Sequence, residues 1–213
     1  MKRVLLISLS LVLALVGGSA VCADDGFYVI PAMKGNYAPV PKTGQTTPLV
    51  AGDDGTWHKG VASPSPRFTD NNNGTVTDNL TKLIWMKNAS NVGAVGFGVK
   101  TWVGALFAAN GLKSGDAGLS DGSVAFDWRL PNRRELESLV DCGFYNPALP
   151  NTLGTGKWTE GKPFQGVQSS YYWSSSTCAG STASAWYVDF YDGVVGNGDK
   201  SSNGYVWCVR GGP

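Results

Sequence analysis

The run Arg67-Phe68-Thr69-Asp70-Asn71-Asn72-Asn73-Gly74-Thr75-Val76-Thr77-Asp78 decides how the chain is read. Asn73-Gly74 joins two short stretches, and both residues tolerate positive φ, which a tight hairpin turn demands. The run therefore predicts a β-hairpin. Leu80 to Met86 follows, and its Leu83, Ile84 and Trp85 predict entry into a core. Asp70, Asn72 and Asp78 also offer oxygen ligands of the kind calcium takes. A full calcium loop would continue to a bidentate Glu, and none follows, so the turn is the preferred reading.

Working outward, Trp102, Ala105, Leu106, Ala109 and Leu112 recur at helical spacing within Thr101–Lys113 and predict an amphipathic helix. Asn132, with Glu135 three residues on, forms a capping-box signature for a second helix. Leu136, Leu139 and Val140 would be its inner stripe, and Gly143 its stop. Asp127 to Pro131 reads as a short buried segment leading into it, and Cys142 to Gly166 as loop. Strands are expected at Tyr171–Ser176, Ala185–Tyr191 and Tyr205–Arg210, with a turn at Asp192-Gly193 and a strand resuming at Val194. Cys178–Ser184 and Gly196–Gly204 read as loops, and Trp85, Trp128 and Trp186 as core. The whole is an α+β domain of two helices, short antiparallel sheets and long loops.

Upstream, Lys2 and Arg3 precede an apolar run from Val4 to Val16, then small residues up to Ala23. That order of charged, apolar and small segments is a signal peptide over 1–23. The apolar run is shorter than the 20 or so residues that cross a bilayer. Lipidation at Cys22 is disfavoured by Val21, where Gly, Ala or Ser is needed. Residues 24–66 have scattered Pro and Gly and read as an extended arm, with one short edge strand at Phe27–Ile30; 67–213 form the domain. The chain carries 17 Lys+Arg and 16 Asp+Glu. Loss of Lys2 and Arg3 leaves 15 against 16, a net charge of −1. So balanced a surface exerts no general pull on nucleic acid. The 29 Gly beside 8 Trp, 8 Tyr and 8 Phe point to tight turns around an aromatic core rather than to disorder.

Export leaves Cys142, Cys178 and Cys208 in an oxidising compartment, where one disulfide and one spare thiol are expected. Three pairings are open. Cys178–Cys208 is favoured because both lie in the strand-rich C-terminal part, and closing that loop would add about 3.5 kcal/mol.

Several motifs occur in order: F-T-D-N-N-N-G-T-V-T-D-N-L-T at 68–81, L-I-W, D-W-R-L-P-N at 127–132, Y-W-S-S-S at 172–176, A-W-Y-V at 185–188 and C-V-R-G-G at 208–212. In these the chain resembles the family named for the C-terminal domain of a bacterial collagen-like adhesin, the Lcl C-terminal domain family, from about Pro41 to Gly212. The resemblance implies a C-type-lectin-like fold, distantly akin to formylglycine-generating enzymes, in exported and mostly uncharacterised proteins. The adhesin domain binds sulfated glycosaminoglycans through a basic surface. The near-neutral charge here does not supply such a surface, and no collagen-like Gly-X-Y stalk is present. Pro131-Asn132 follows Leu130, so the calcium-lectin tripeptide is missing too.

These features favour a non-catalytic binding or adhesion module for a glycan or protein ligand at a cell surface. A structural envelope component is the alternative, and an enzyme akin to the formylglycine type comes third. The single His58 lies in the arm, Cys178 and Cys208 read as a disulfide, and Asp189, Asp192 and Asp199 read as turn formers. No metal cluster or cofactor loop is expected. Asn-, Ser- and Gly-rich loops with tyrosines suit adaptable recognition. The expected binding face is Tyr171, Tyr191, Asp192, Asn197, Asp199, Lys200 and Asn203, gathered near Ser181.

Overall fold

The expected hairpin is present: β1 (Phe68–Asp70) pairs antiparallel with β2 (Thr75–Asp78), with Asp70 opposite Val76. The connection runs Asn71–Gly74, and its positive φ values fall at Asn72 and Gly74 rather than Asn73. Gly74 has φ +83, and a Cβ there would collide with the Gly118 carbonyl. Only glycine meets both demands. The computed structural model describes residues 40–90 and 98–211. The signal peptide, the start of the arm and the Phe27–Ile30 strand lie outside the described residues.

Residues 40–66 form more than an extended arm. Pro41 bridges Val61, and a short helix α1 (Asp54–Trp57) is capped by Asp53, whose side chain accepts from Thr56 N. That makes a third helix beside the two expected. Cys142 N donates to Thr43 O at 2.6 Å, which ties the segment to the domain.

β3 (Ile84–Met86) extends the hairpin, placing Trp85 opposite Val76. The chain's last strand, β7 (Val209–Arg210), returns to pair Val209 with Trp85, giving the order β1-β2-β3-β7. The second sheet, β4-β5-β6, joins β4 (Tyr171–Cys178), β5 (Ser181–Asp189) and β6 (Val195–Asp199), all antiparallel. α2 (Trp102–Gly111) starts at the Thr101 cap and buries Ala105 and Ala109. The capping box at Asn132 and Glu135 opens α3 (Arg133–Glu137), with both reciprocal hydrogen bonds formed. α3 stops well before Gly143. Ser138 Oγ donates to Glu135 O, and the backbone tightens into i→i+3 bonds such as Leu139 N to Leu136 O. The described residues are thus an α+β arrangement of small helices and two antiparallel sheets.

Trp207 centres the core. Its ring makes edge or tilted contacts with Phe164 (4.8 Å), Tyr172 (5.6 Å), Phe190 (5.6 Å) and Trp85 (5.7 Å). All five side chains are fully buried. Its indole N–H donates to Met86 O at 2.8 Å, so the buried polar atom is satisfied. Each such side chain contributes about 2–3 kcal/mol by burial.

Three expectations are corrected. Cys178–Ser184 is not a loop but the tip of the β4–β5 hairpin, turned at Ala179-Gly180, and Gly196–Asp199 belong to β6. Of the expected final strand Tyr205–Arg210, only Tyr205, Val209 and Arg210 make ladder contacts. The Cys178–Cys208 disulfide does not form: all three cysteines of the described residues are free. Cys178 ends β4 at the hairpin tip, whereas Cys208 is fully buried beside the other sheet, where its carbonyl accepts from Met86 N.

Candidate functional site

The late strands do not gather the seven expected residues into one face. The β5–β6 register puts Asn197 opposite Trp186 and Gly196 opposite Tyr187. Side chains alternate along a strand, so Asn197 shares the face of Trp186. Tyr171 lies on the other face, its ring 5.0 Å from that of Tyr187. The Tyr171 hydroxyl donates to the Asn203 carbonyl, and burial followed by the neighbouring Tyr187 raises its pKa. Tyr191 and Asp192 sit in the β5–β6 turn. Tyr191 is exposed beside Tyr145 at 6.5 Å, and Asp192 accepts from Val194 N. Asp199 and Lys200 stand at the far end of β6, about 13 Å along the strand from Val195. Asp199 accepts from Ser201 N, which lowers its pKa.

Lys200 does reach the hairpin tip near Ser181, but as a strut. Its Nζ donates to Thr177 Oγ1 at 2.9 Å and Thr182 O at 2.8 Å, and it lies 4.1 Å from the Trp102 ring centre. Trp186 is only half-buried, covered by the Arg133 guanidinium at 4.6 Å from the ring centre, so it is not the core residue expected. Trp85 and Trp128 are fully buried.

Several of the residues weighed for metal or catalytic chemistry are held in other contacts. Asp78 pairs with buried Arg67 through Nε at 2.8 Å and Nη2 at 3.0 Å. Asp70 accepts Lys87 Nζ at 2.6 Å and Asn72 N at 2.9 Å. Burial raises the Asp70 pKa, but those donors and the lysine charge outweigh it and the net shift is downward. Burial drives the Cys208 thiol far above its ordinary value, which leaves no thiolate to react. His58 is exposed at the end of α1.

A concave feature lies at the Asn-Gly hairpin. A cleft of about 520 Å³ is lined by Asn72, Gly74, Lys87, Asn88, Ala117, Gly118 and Gln165. Four separate stretches supply its walls, and main-chain bonds pin them together. Lys87 N donates to Gly74 O, Gln165 N to Lys87 O, Ala89 N to Gln165 O, and Ser120 N to Asn73 O, all between 2.8 and 2.9 Å. Asn72 and Ala117 sit at φ 56 and 52. Positive φ suits Asn and costs Ala roughly 1 kcal/mol. Among the described residues, the side-chain amides of Asn72 and Gln165 make no hydrogen bond, and Asn88 uses only Oδ1, toward Ser90 N. Main-chain hydrogen bonds join the walls, and among the described residues the Asn72 and Gln165 amides have no partner. Such a surface can bind and orient a polar ligand.

Sequence reasoning singled out Asn72, though as a turn or calcium residue, and missed Lys87, Asn88 and Gln165. Only contacts between distant stretches bring them together, and no local pattern marks them.

No curated protein matches the chain. The family model for the Lcl C-terminal domain matches residues 74–210, from the glycine of the hairpin turn to the end of β7. That is most of the chain, if narrower than the motifs suggested, and the chain belongs to the Lcl C-terminal domain family.

Proposed function

We propose that this chain is an exported, non-catalytic binding or adhesion module of C-type-lectin-like architecture, which holds a glycan or protein surface ligand in the cleft beside the Asn73-Gly74 turn. One observation carries the reading: among the described residues the unpartnered amides of Asn72 and Gln165, and the free amino group of Asn88, line a cleft whose walls are joined by main-chain hydrogen bonds. Preorganised polar groups bind without paying the ordering cost that loose loops would. Asp78 and Asp70 are paired with cations and the Cys208 thiol is buried, which supports recognition over turnover. The leader supports export, with a mature N-terminus near Asp24 expected by mass spectrometry of the exported fraction.

The test is adhesion of fluorescent beads carrying the purified protein to intact cells and to a printed glycan panel. Asn72→Gly and Gln165→Ala each remove an exposed amide, and the first keeps the backbone conformation permitted. The folded double variant should lose most retention. Unchanged retention would move the site away from the cleft and favour an assembly role in the envelope.

A further inference from the structure

Resting on the cleft as the binding site, we infer that its ligand is an uncharged, hydroxyl-rich saccharide rather than an anion or a peptide. The first ground is charge. Lys87 is the cleft's cation, and Asp70 Oδ2 stands 2.6 Å from its Nζ, so the pair presents no net charge to a ligand. An anionic group approaching Lys87 would also approach Asp70 and be repelled.

The second ground is the balance of donors and acceptors. Asn88 Oδ1 is engaged by Ser90 N, so this residue offers the cleft its Nδ2 donors. Lys87 Nζ keeps two donors after bonding Asp70. Asn72 and Gln165 each offer a carbonyl and an amino group. A group bearing only acceptors leaves those two carbonyls unmet, whereas a hydroxyl both donates and accepts. Adjacent hydroxyls on a sugar ring can satisfy an amide's carbonyl and amino group together. The third ground is what lines the walls. Apart from Ala117 and the glycines, every lining residue is an amide or a cation, and among the described residues no aromatic or large aliphatic side chain lines the cleft to read a peptide side chain.

The experiment follows the side-chain NH₂ signals of Asn72, Asn88 and Gln165 by NMR in the ¹⁵N-labelled protein. The probes are maltotriose, cellotriose and triacetylchitotriose, with a heparin disaccharide and a blocked triglycine as contrasts. At least one neutral trisaccharide should shift all three amides, and at least ten times more of the heparin disaccharide should be needed for the same shift. Asn72→Gly and Gln165→Ala should each weaken the saccharide about five-fold, the effect of one lost neutral hydrogen bond. Asp70→Asn, which unmasks Lys87, should raise the heparin response. Tighter heparin binding by the native protein, or an Asp70→Asn variant no better at it, would overturn the inference. If only triglycine shifts these amides, the saccharide class fails while the cleft stands as the site. If no probe of any kind shifts them, both fall.

Discussion

The Arg67–Asp78 pair allows a stability prediction in which burial, not pairing, sets the size. The side chains are 2% and 0% exposed. Arg67 Nε and Nη2 donate to the two Asp78 oxygens, and Nη2 also donates to Ser138 O at 2.8 Å. Asp78 further accepts from Leu80 N at 2.9 Å and Thr81 Oγ1 at 2.8 Å. Asp78→Ala strands the guanidinium without its counter-charge, a loss of about 3–5 kcal/mol. In a domain of this size each kcal/mol moves Tm by about 2–4 °C, so the midpoint should fall on the order of 10 °C. Calorimetry and urea titration at neutral pH measure it. Lys87–Asp70 is the internal control: its side chains are 25% and 31% exposed, and Asp70→Ala should cost under about 1 kcal/mol. Replacing both members, Arg67→Met with Asp78→Leu, should recover much of the loss because no unpaired charge remains. An Asp78→Ala variant within about 1 kcal/mol of wild type, or no gap between the two alanine variants, would refute the reasoning.

Asp53 accepts from Leu49 N and caps α1, which holds its pKa at about 2 against an ordinary 3.8. A lowered folded pKa gives stability that is present above 3.8 and lost as pH falls toward 2. Amide exchange in residues 45–58 should therefore accelerate between those limits in wild type, while Asp53→Asn should exchange fast at every pH. Gly204→Ala would put a Cβ 2.6 Å from Tyr171 Cε2 and 2.8 Å from Trp173 Nε1. Because Trp173 is fully buried, this should cost about 1–3 kcal/mol by overpacking, read as a shift in urea midpoint at constant slope. Native alkylation should label exposed Cys142 first, Cys178 more slowly and buried Cys208 only on unfolding. A linked Cys178–Cys208 peptide in the digest would contradict this order.

What could be read from the sequence was what neighbouring residues decide among themselves. The hairpin at Asn71–Gly74 and the Asn132–Glu135 capping box are each set by a few neighbouring residues, and both form, the turn with its positive φ at Asn72 and Gly74. β6 failed because its reason is remote. Val195-Gly-Asn-Gly-Asp has little strand propensity, yet the Tyr187 ring lies directly over Gly196, where a Cβ would come within 2.5 Å of its hydroxyl oxygen. An aromatic on β5 thus supplies the side chain that the glycine strand lacks. The disulfide failed for a similar reason: both cysteines lie in strand-rich sequence, but Cys178 ends β4 of one sheet while Cys208 is buried just before β7 of the other. The cleft is the extreme case. Asn72 and Gln165 are 93 positions apart by number and meet because Lys87, at the end of β3, bonds to Gly74 on one side and Gln165 on the other. A site assembled by one residue's N–H and C=O pointing to different partners leaves no spacing to recognise, although each amide in it is an ordinary surface residue. The motif that fixes the hairpin therefore also fixes one wall of the site. A Gly74→Ala substitution, barred by both φ and the Gly118 carbonyl, should damage fold and cleft together.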